Sequence, residues 1–305
     1  MTTKKREVVQ QEKKPTRSKL LFIAISIILV IIIIVASTMA FFSQEPPETT
    51  FSLSAAIIDQ LSMEYPNTPF VENVTAVLEN HNFNVTYHSQ KLDVEFFKKL
   101  ATYNYGIIVL RVHSALRSDS STVDLFTSES FDEDLHVQEM NEGLVVRGVL
   151  NYSSVPKEYF AISPKFLENL EGRFPESIII AMGCWSLRQG LEQMAEAFIE
   201  KGAKAYVGWN GLVEYEHTDQ ETMKLITRLL AEDKTISEAV SRVLSDPAWK
   251  SKMGYYPVTA RDIKISSLVN QVKSESAYSQ FFSYFASILC CESKFLRAHV
   301  SKHVR

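Results

Sequence analysis

Residues 20–42, LLFIAISIILVIIIIVASTMAFF, form an uncharged run of 23 apolar and small residues. As a helix rising 1.5 Å per residue this run spans about 34 Å, enough to cross the hydrocarbon core of a bilayer. A cleavable signal has an apolar core of only about 7–15 residues. The run therefore predicts a retained signal anchor, although Thr38-Met39-Ala40 loosely resembles a cleavage site. Lys4, Lys5, Arg6, Lys13, Lys14, Arg17 and Lys19 precede the run, and no Lys or Arg follows it until Lys91. The positive-inside rule then puts the N-terminus in the cytoplasm and the bulk of the chain outside a cell membrane crossed once. Sequons at Asn73, Asn84 and Asn151 are compatible with that location.

The 305 residues are 46% apolar with ten Gly and ten Pro, which suits one large globular domain or two small ones. A net charge of −4 excludes a globally basic surface, so no nucleic-acid partner is expected. The cysteines are Cys184, Cys290 and Cys291. Adjacent cysteines seldom bond to each other because the geometry is strained, which leaves Cys184 as a free thiol. No CxxC pair or histidine cluster has metal-ligand spacing, so neither a metal nor a cofactor is expected.

The organisation read from the chain is a basic cytoplasmic segment (1–19), the membrane helix (20–42), a polar linker (43–52), an α/β domain (53–250) and an extension of unassigned role (251–305). Within the domain, strand-like runs at 53–59, 83–88, 106–114, 177–182 and 204–209 alternate with helix-like segments at 68–80, 94–101, 163–174, 187–201 and 218–233. Such alternation predicts a mainly parallel sheet with helices on both faces. The amphipathic strand at 83–88 reads as an edge beside the strand at 53–59, giving the order 2-1-3-4-5. Residues 124–150 read as a β-hairpin excursion.

Ligands of such sheets bind beyond the carboxyl ends of the strands. His113 ends the run GIIVLRV, and Cys184 follows SIIIAM after one Gly. On neighbouring strands both side chains emerge on one rim, where an imidazole can take or relay a thiol proton. Ser186 and Gln189 match a capping box, predicting a helix N-terminus just past the thiol that would lower its pKa and favour an oxyanion. The plainer reading makes Cys184 a small buried hydrophobe and His113 a structural residue. Trp209 belongs either to the core or to the wall of a cleft.

The strand-end pair IIVLRVHS and IIIAMGCWS, followed by AFIEKGAKAYVGW, resembles the caspase-like cysteine peptidases of clan CD. That resemblance implies a three-layer α/β fold, His113 as general base or acid and Cys184 as nucleophile. It also implies an oxyanion hole from the backbone N–H groups of Ser114 and Cys184. Caspases carry Gly where this chain has Ser114, and the segment before the cysteine also differs, so caspase-type Asp specificity is not carried over. At the family's substrate-pocket positions the chain offers Asp59, Glu214, Glu216 and Asp219, which suit a basic P1 side chain. Gly183, Trp185 and Trp209 complete the candidate substrate-side residues. The implied activity is that of a membrane-anchored extracytoplasmic cysteine endopeptidase acting on a peptide or protein through a thioester. The alternative is a non-catalytic peptide-binding or scaffold module on the same fold. Homo-oligomerisation is left open.

Overall fold

A computed structural model describes residues 50–151 and 155–274. The expected membrane helix at 20–42, the basic segment before it and the Cys290–Cys291 pair lie outside the described residues. Among the described residues no helix is long and apolar enough to cross a membrane.

Along the chain run β1 (Ser54–Asp59), α1 (Thr68–Asn80), β2 (Asn84–His88), α2 (Val94–Lys98), β3 (Ile107–Arg111), β4 (Ser114–Leu116), β5 (Val123–Ser130) and α3 (Val137–Asn141). They are followed by β6 (Val145–Leu150), β7 (Lys157–Ile162), α4 (Pro164–Glu168), β8 (Ile178–Ala181), α5 (Gln193–Glu200), β9 (Ala205–Trp209), α6 (Tyr215–Leu230), α7 (Ile236–Ser241) and β10 (Met253–Tyr256).

Six strands form one sheet in the order β10-β9-β8-β3-β1-β2, parallel throughout except for β10, which runs antiparallel to β9. The fold is thus α/β with a mixed, mostly parallel sheet. Its order differs from the five-strand expectation because β10 closes the far edge. This strand lies past residue 250, where the sequence placed the start of an extension, and Ala260, Ile265 and Leu268 beyond it are buried in the same core. A fully apolar strand such as β9 would leave an unprotected sheet edge, and pairing with β10 covers it.

Alternation along the strands sorts the two core layers. Ile107 and Val109 of β3 and Ile178 and Ile180 of β8 pack with Val74, Leu78, Leu225 and Leu229 from α1 and α6. Ile108, Leu110, Ile179 and Ala181 face the opposite layer with Phe97, Phe166 and Phe198. Each of these large side chains contributes about 1.5–3 kcal/mol by leaving water. Asn67 caps α1 by accepting the Phe70 N–H at 3.1 Å, with Pro69 in the first turn.

Two local expectations change. Residues 124–150 do not form a simple hairpin; β4, β5, β7 and β6 make a second, antiparallel four-stranded sheet, with the short α3 in the acidic stretch. The helix expected over 187–201 begins only at Gln193, and Ser186 caps nothing. Its hydroxyl instead donates to the Ala181 carbonyl at 3.1 Å and accepts the Trp209 N–H at 2.9 Å, tying β8 to β9. Trp185 (φ 60°) and Gly190 (φ 82°) turn this stretch into a compact loop. The reciprocal capping box is real at Thr235 and Glu238, where it opens α7.

Candidate active site

The parallel register of β3 and β8 pairs Ile107 with Ile178 and Leu110 with Ala181. The Met182 N–H then bonds to the Leu110 carbonyl at 2.9 Å, so the pairing continues past the strand ends. The ladder bonds end there, and His113 and Cys184 lie in the segments that leave the carboxyl ends of these two adjacent strands. Met182 and Cys184 pack into the layer that holds Ile107 and Val109, and strand alternation puts His113 on that same face. Neighbouring strands lie about 4.8 Å apart, so imidazole and thiol share one rim at the carboxyl edge of the sheet.

Ser114 and Gly183 hold the two strand ends in this relation. The Ser114 hydroxyl donates to the Cys184 carbonyl at 2.6 Å. A Cβ on Gly183 would meet Ser114 Oγ at 2.2 Å and the Val112 carbonyl oxygen at 2.6 Å, so only glycine admits this approach. Ser114 and Gly183, placed by sequence among catalytic and substrate-side residues, are buried here and act as fasteners. The Cys184 N–H bonds to no backbone carbonyl among the described residues, so it remains a candidate oxyanion donor.

His113 is buried, with its backbone N–H held by Gln60 Oε1 at 2.9 Å. Its Nε2 faces Glu64 Oε2 at 3.4 Å. The other oxygen of Glu64 accepts Lys157 Nζ at 2.6 Å and the Tyr159 hydroxyl at 2.8 Å. Burial lowers the histidine pKa below its ordinary 6.5, with Glu64 opposing. Burial pushes Glu64 up, but its bonds from Lys157, Tyr159 and His113 outweigh this and keep it ionised. Tyr65 and Tyr215 stack on each other at 3.8 Å and meet the imidazole edge-on at 6.4 and 5.8 Å.

Cys184 is half-buried and free, with Sγ 3.7 Å from the Val213 carbonyl. Burial raises its pKa, the Val213 carbonyl opposes this, and the nearby Glu214 carboxylate adds a smaller upward push. The expected helix-dipole activation is absent because no helix starts beside it. Both shifts favour the uncharged forms, a thiol at Cys184 and a neutral imidazole at His113.

The acidic residues expected to receive a basic side chain are largely occupied. Arg111, buried one alternation back from His113, donates to Asp59 Oδ1 at 2.8 Å and to both Asp219 oxygens at 2.8 and 2.9 Å. It also holds the Tyr65 carbonyl at 2.8 Å. Asp59 and Asp219 are therefore partners of a buried arginine, and only Glu214 and Glu216 remain exposed. The Glu214 carboxylate accepts the Trp249 indole N–H at 2.8 Å. Trp209 is fully buried, its indole N–H on Thr218 Oγ1 at 2.9 Å, which assigns it to the core and removes it from any cleft wall. Trp185 stays half-exposed beside the thiol in a left-handed conformation that costs about 1–3 kcal/mol.

Glu64, Tyr65 and Arg111 escaped the sequence reading. The visible signal was an arginine inside an otherwise apolar strand, with Asp59 at the end of the strand beside it. Away from this rim, ligand atoms of Glu95, His136 and Glu139 lie within 4.8 Å of one another. The Lys98 ammonium already bridges Glu95 and Glu139, at 2.6 Å from each. No protein-family model matches the chain and no curated protein matches it in sequence, so the rim's own geometry carries its chemical reading.

Proposed function

We propose that the chain is a caspase-like cysteine endopeptidase, anchored by residues 20–42 with its α/β domain outside the membrane. The observation that carries this reading is the parallel pairing of β3 with β8, whose adjacent carboxyl ends lead to His113 and Cys184, with Glu64 beside the imidazole. In the proposed reaction neutral His113 takes the thiol proton as Cys184 Sγ attacks a peptide carbonyl. Glu64 stabilises the imidazolium that forms, and the Cys184 N–H faces the developing oxyanion. The carbon–nitrogen bond breaks as His113 returns the proton to the leaving amine. Water, deprotonated by His113, then cleaves the thioester and restores the thiol.

The experiment is covalent trapping. Full-length protein incubated with peptidyl acyloxymethyl ketones should gain one adduct mass on Cys184, and His113→Ala should slow this at least a hundredfold. Equal labelling of both proteins would remove His113 from the chemistry. A second reading, a peptide-binding module without turnover, is favoured by one observation: the thiol is half-buried with a raised pKa. It predicts peptide binding without an adduct.

A further inference from the structure

The sequon Asn84-Val85-Thr86 opens β2, and β2 is the end strand of the six-stranded sheet. One side of β2 pairs with β1 from Ser54–Asn84 to Ile58–His88, and the other side pairs with no strand among the described residues. The Asn84 N–H bonds to the Leu53 carbonyl at 2.8 Å, so in this parallel ladder the backbone groups of Val85 and Tyr87 point outward. An open edge of this kind is ordinarily guarded by a charge, a proline or a bulge. The strand Asn84-Val85-Thr86-Tyr87-His88 has no Lys, Arg, Asp, Glu or Pro, and its register with β1 is unbroken. Burial lowers the pKa of His88, so its imidazole adds no charge at neutral pH. What this edge does present is Asn84, exposed and with no side-chain hydrogen bond among the described residues.

We infer that Asn84 carries an N-linked glycan, which covers the open β2 edge and keeps it from pairing with a second copy of the chain. The donor is a lipid-linked oligosaccharide diphosphate. Asn84 Nδ2 loses one proton and bonds to C1 of the first sugar, while the C1–O bond to the diphosphate breaks and the lipid diphosphate leaves with the electron pair. A glycan is bulky and strongly hydrated, so on the outermost strand it does what a charge or proline does at other edges. Thr86 is half-buried and its hydroxyl bonds to Tyr105 in the fold. The sequon is therefore read on the extended chain before β2 pairs, and folding then leaves the modified amide facing water. Asn73 and Asn151 are exposed too, but one lies in α1 and the other beyond the end of β6, which makes them internal controls.

This inference rests on the extracytoplasmic location proposed for the domain and not on its peptidase chemistry, and the test separates the two. Full-length protein is synthesised with microsomal membranes, whose lumen corresponds to the cell exterior, and treated with an N-glycosidase. The untreated chain should run slower than the treated one, and peptide mass spectrometry after treatment should record residue 84 as Asp. Asn84→Gln and Thr86→Val should each remove this glycan, whereas Thr86→Ser, which keeps the sequon, should retain it. A glycan at Asn73 or Asn151 with none at Asn84 overturns the inference and leaves the location standing. If no sequon is modified the inference falls, and protease added outside the vesicles decides the location: digestion of the domain removes it and protection keeps it. Sedimentation of detergent-solubilised full-length protein tests the covering role. Asn84→Gln should form larger species than the glycosylated protein, and Asn84→Lys, which lacks the glycan but puts a charge on the edge, should not. Equal sedimentation of the glycosylated protein and Asn84→Gln overturns that role.

Discussion

The Ser114 hydroxyl spans the rim to the Cys184 carbonyl at 2.6 Å, joining the residue after the histidine to the cysteine itself. Ser114→Ala leaves that carbonyl without this donor and should cost about 1–2 kcal/mol of stability, with a 10- to 100-fold fall in kcat/KM. Gly183→Ala should be worse, and adding Ser114→Ala should not restore it, because the Val112 backbone carbonyl still blocks the new Cβ. Chemical denaturation and kinetics on the two single variants and the double variant check this order.

Glu64 faces the imidazole and raises its proton affinity. Glu64→Gln should lower kcat about tenfold or more, with a smaller change in KM, because its charge matters most when the imidazolium forms. It should also move the acid limb of the pH profile to lower pH. An unchanged acid limb would remove Glu64 from the histidine's electrostatics.

Arg111 is a buried cation between two buried aspartates. Arg111→Met would strand both carboxylates and should cost about 3–5 kcal/mol. Combining it with Asp59→Asn and Asp219→Asn should recover part of that loss. Urea midpoints of the single and triple variants measure this, and a triple variant no more stable than Arg111→Met would contradict it.

The pH profile follows from the two shifts. His113 must be neutral to accept the thiol proton, and its pKa lies below 6.5 because of burial. Activity is therefore lost only as pH falls below the ordinary histidine range. Cys184 titrates above its ordinary 9.0, so the alkaline limb lies beyond that value. The profile of kcat/KM should be a broad plateau through neutrality. An acid limb above 6.5 would contradict a neutral resting pair.

Much of this rim was legible from the chain. GIIVLRV and SIIIAM are continuous apolar runs, which parallel central strands require, and their ends placed His113 and Cys184 on a common edge. The helix Thr68–Asn80 was bounded by its own Pro69 and apolar spacing. What failed were features set by tertiary partners. Ser186 has the letters of a cap, but the ends of β8 and β9 claim its hydroxyl. Asp59 and Asp219 have the charge of a pocket, but a buried arginine uses both. Glu64 reaches His113 across 49 residues of chain, a separation to which no local pattern is sensitive.

The pairing of His113 with Cys184 is tested most directly by cleavage. Full-length protein, Cys184→Ala and His113→Ala are each incubated with a peptide library diverse on both sides of the scissile bond, and products are read by mass spectrometry. The paired-residue account predicts defined cleavage products from the unmodified protein, reduced at least a thousandfold in Cys184→Ala and at least a hundredfold in His113→Ala. The same products from Cys184→Ala, or none from the unmodified protein, would contradict it.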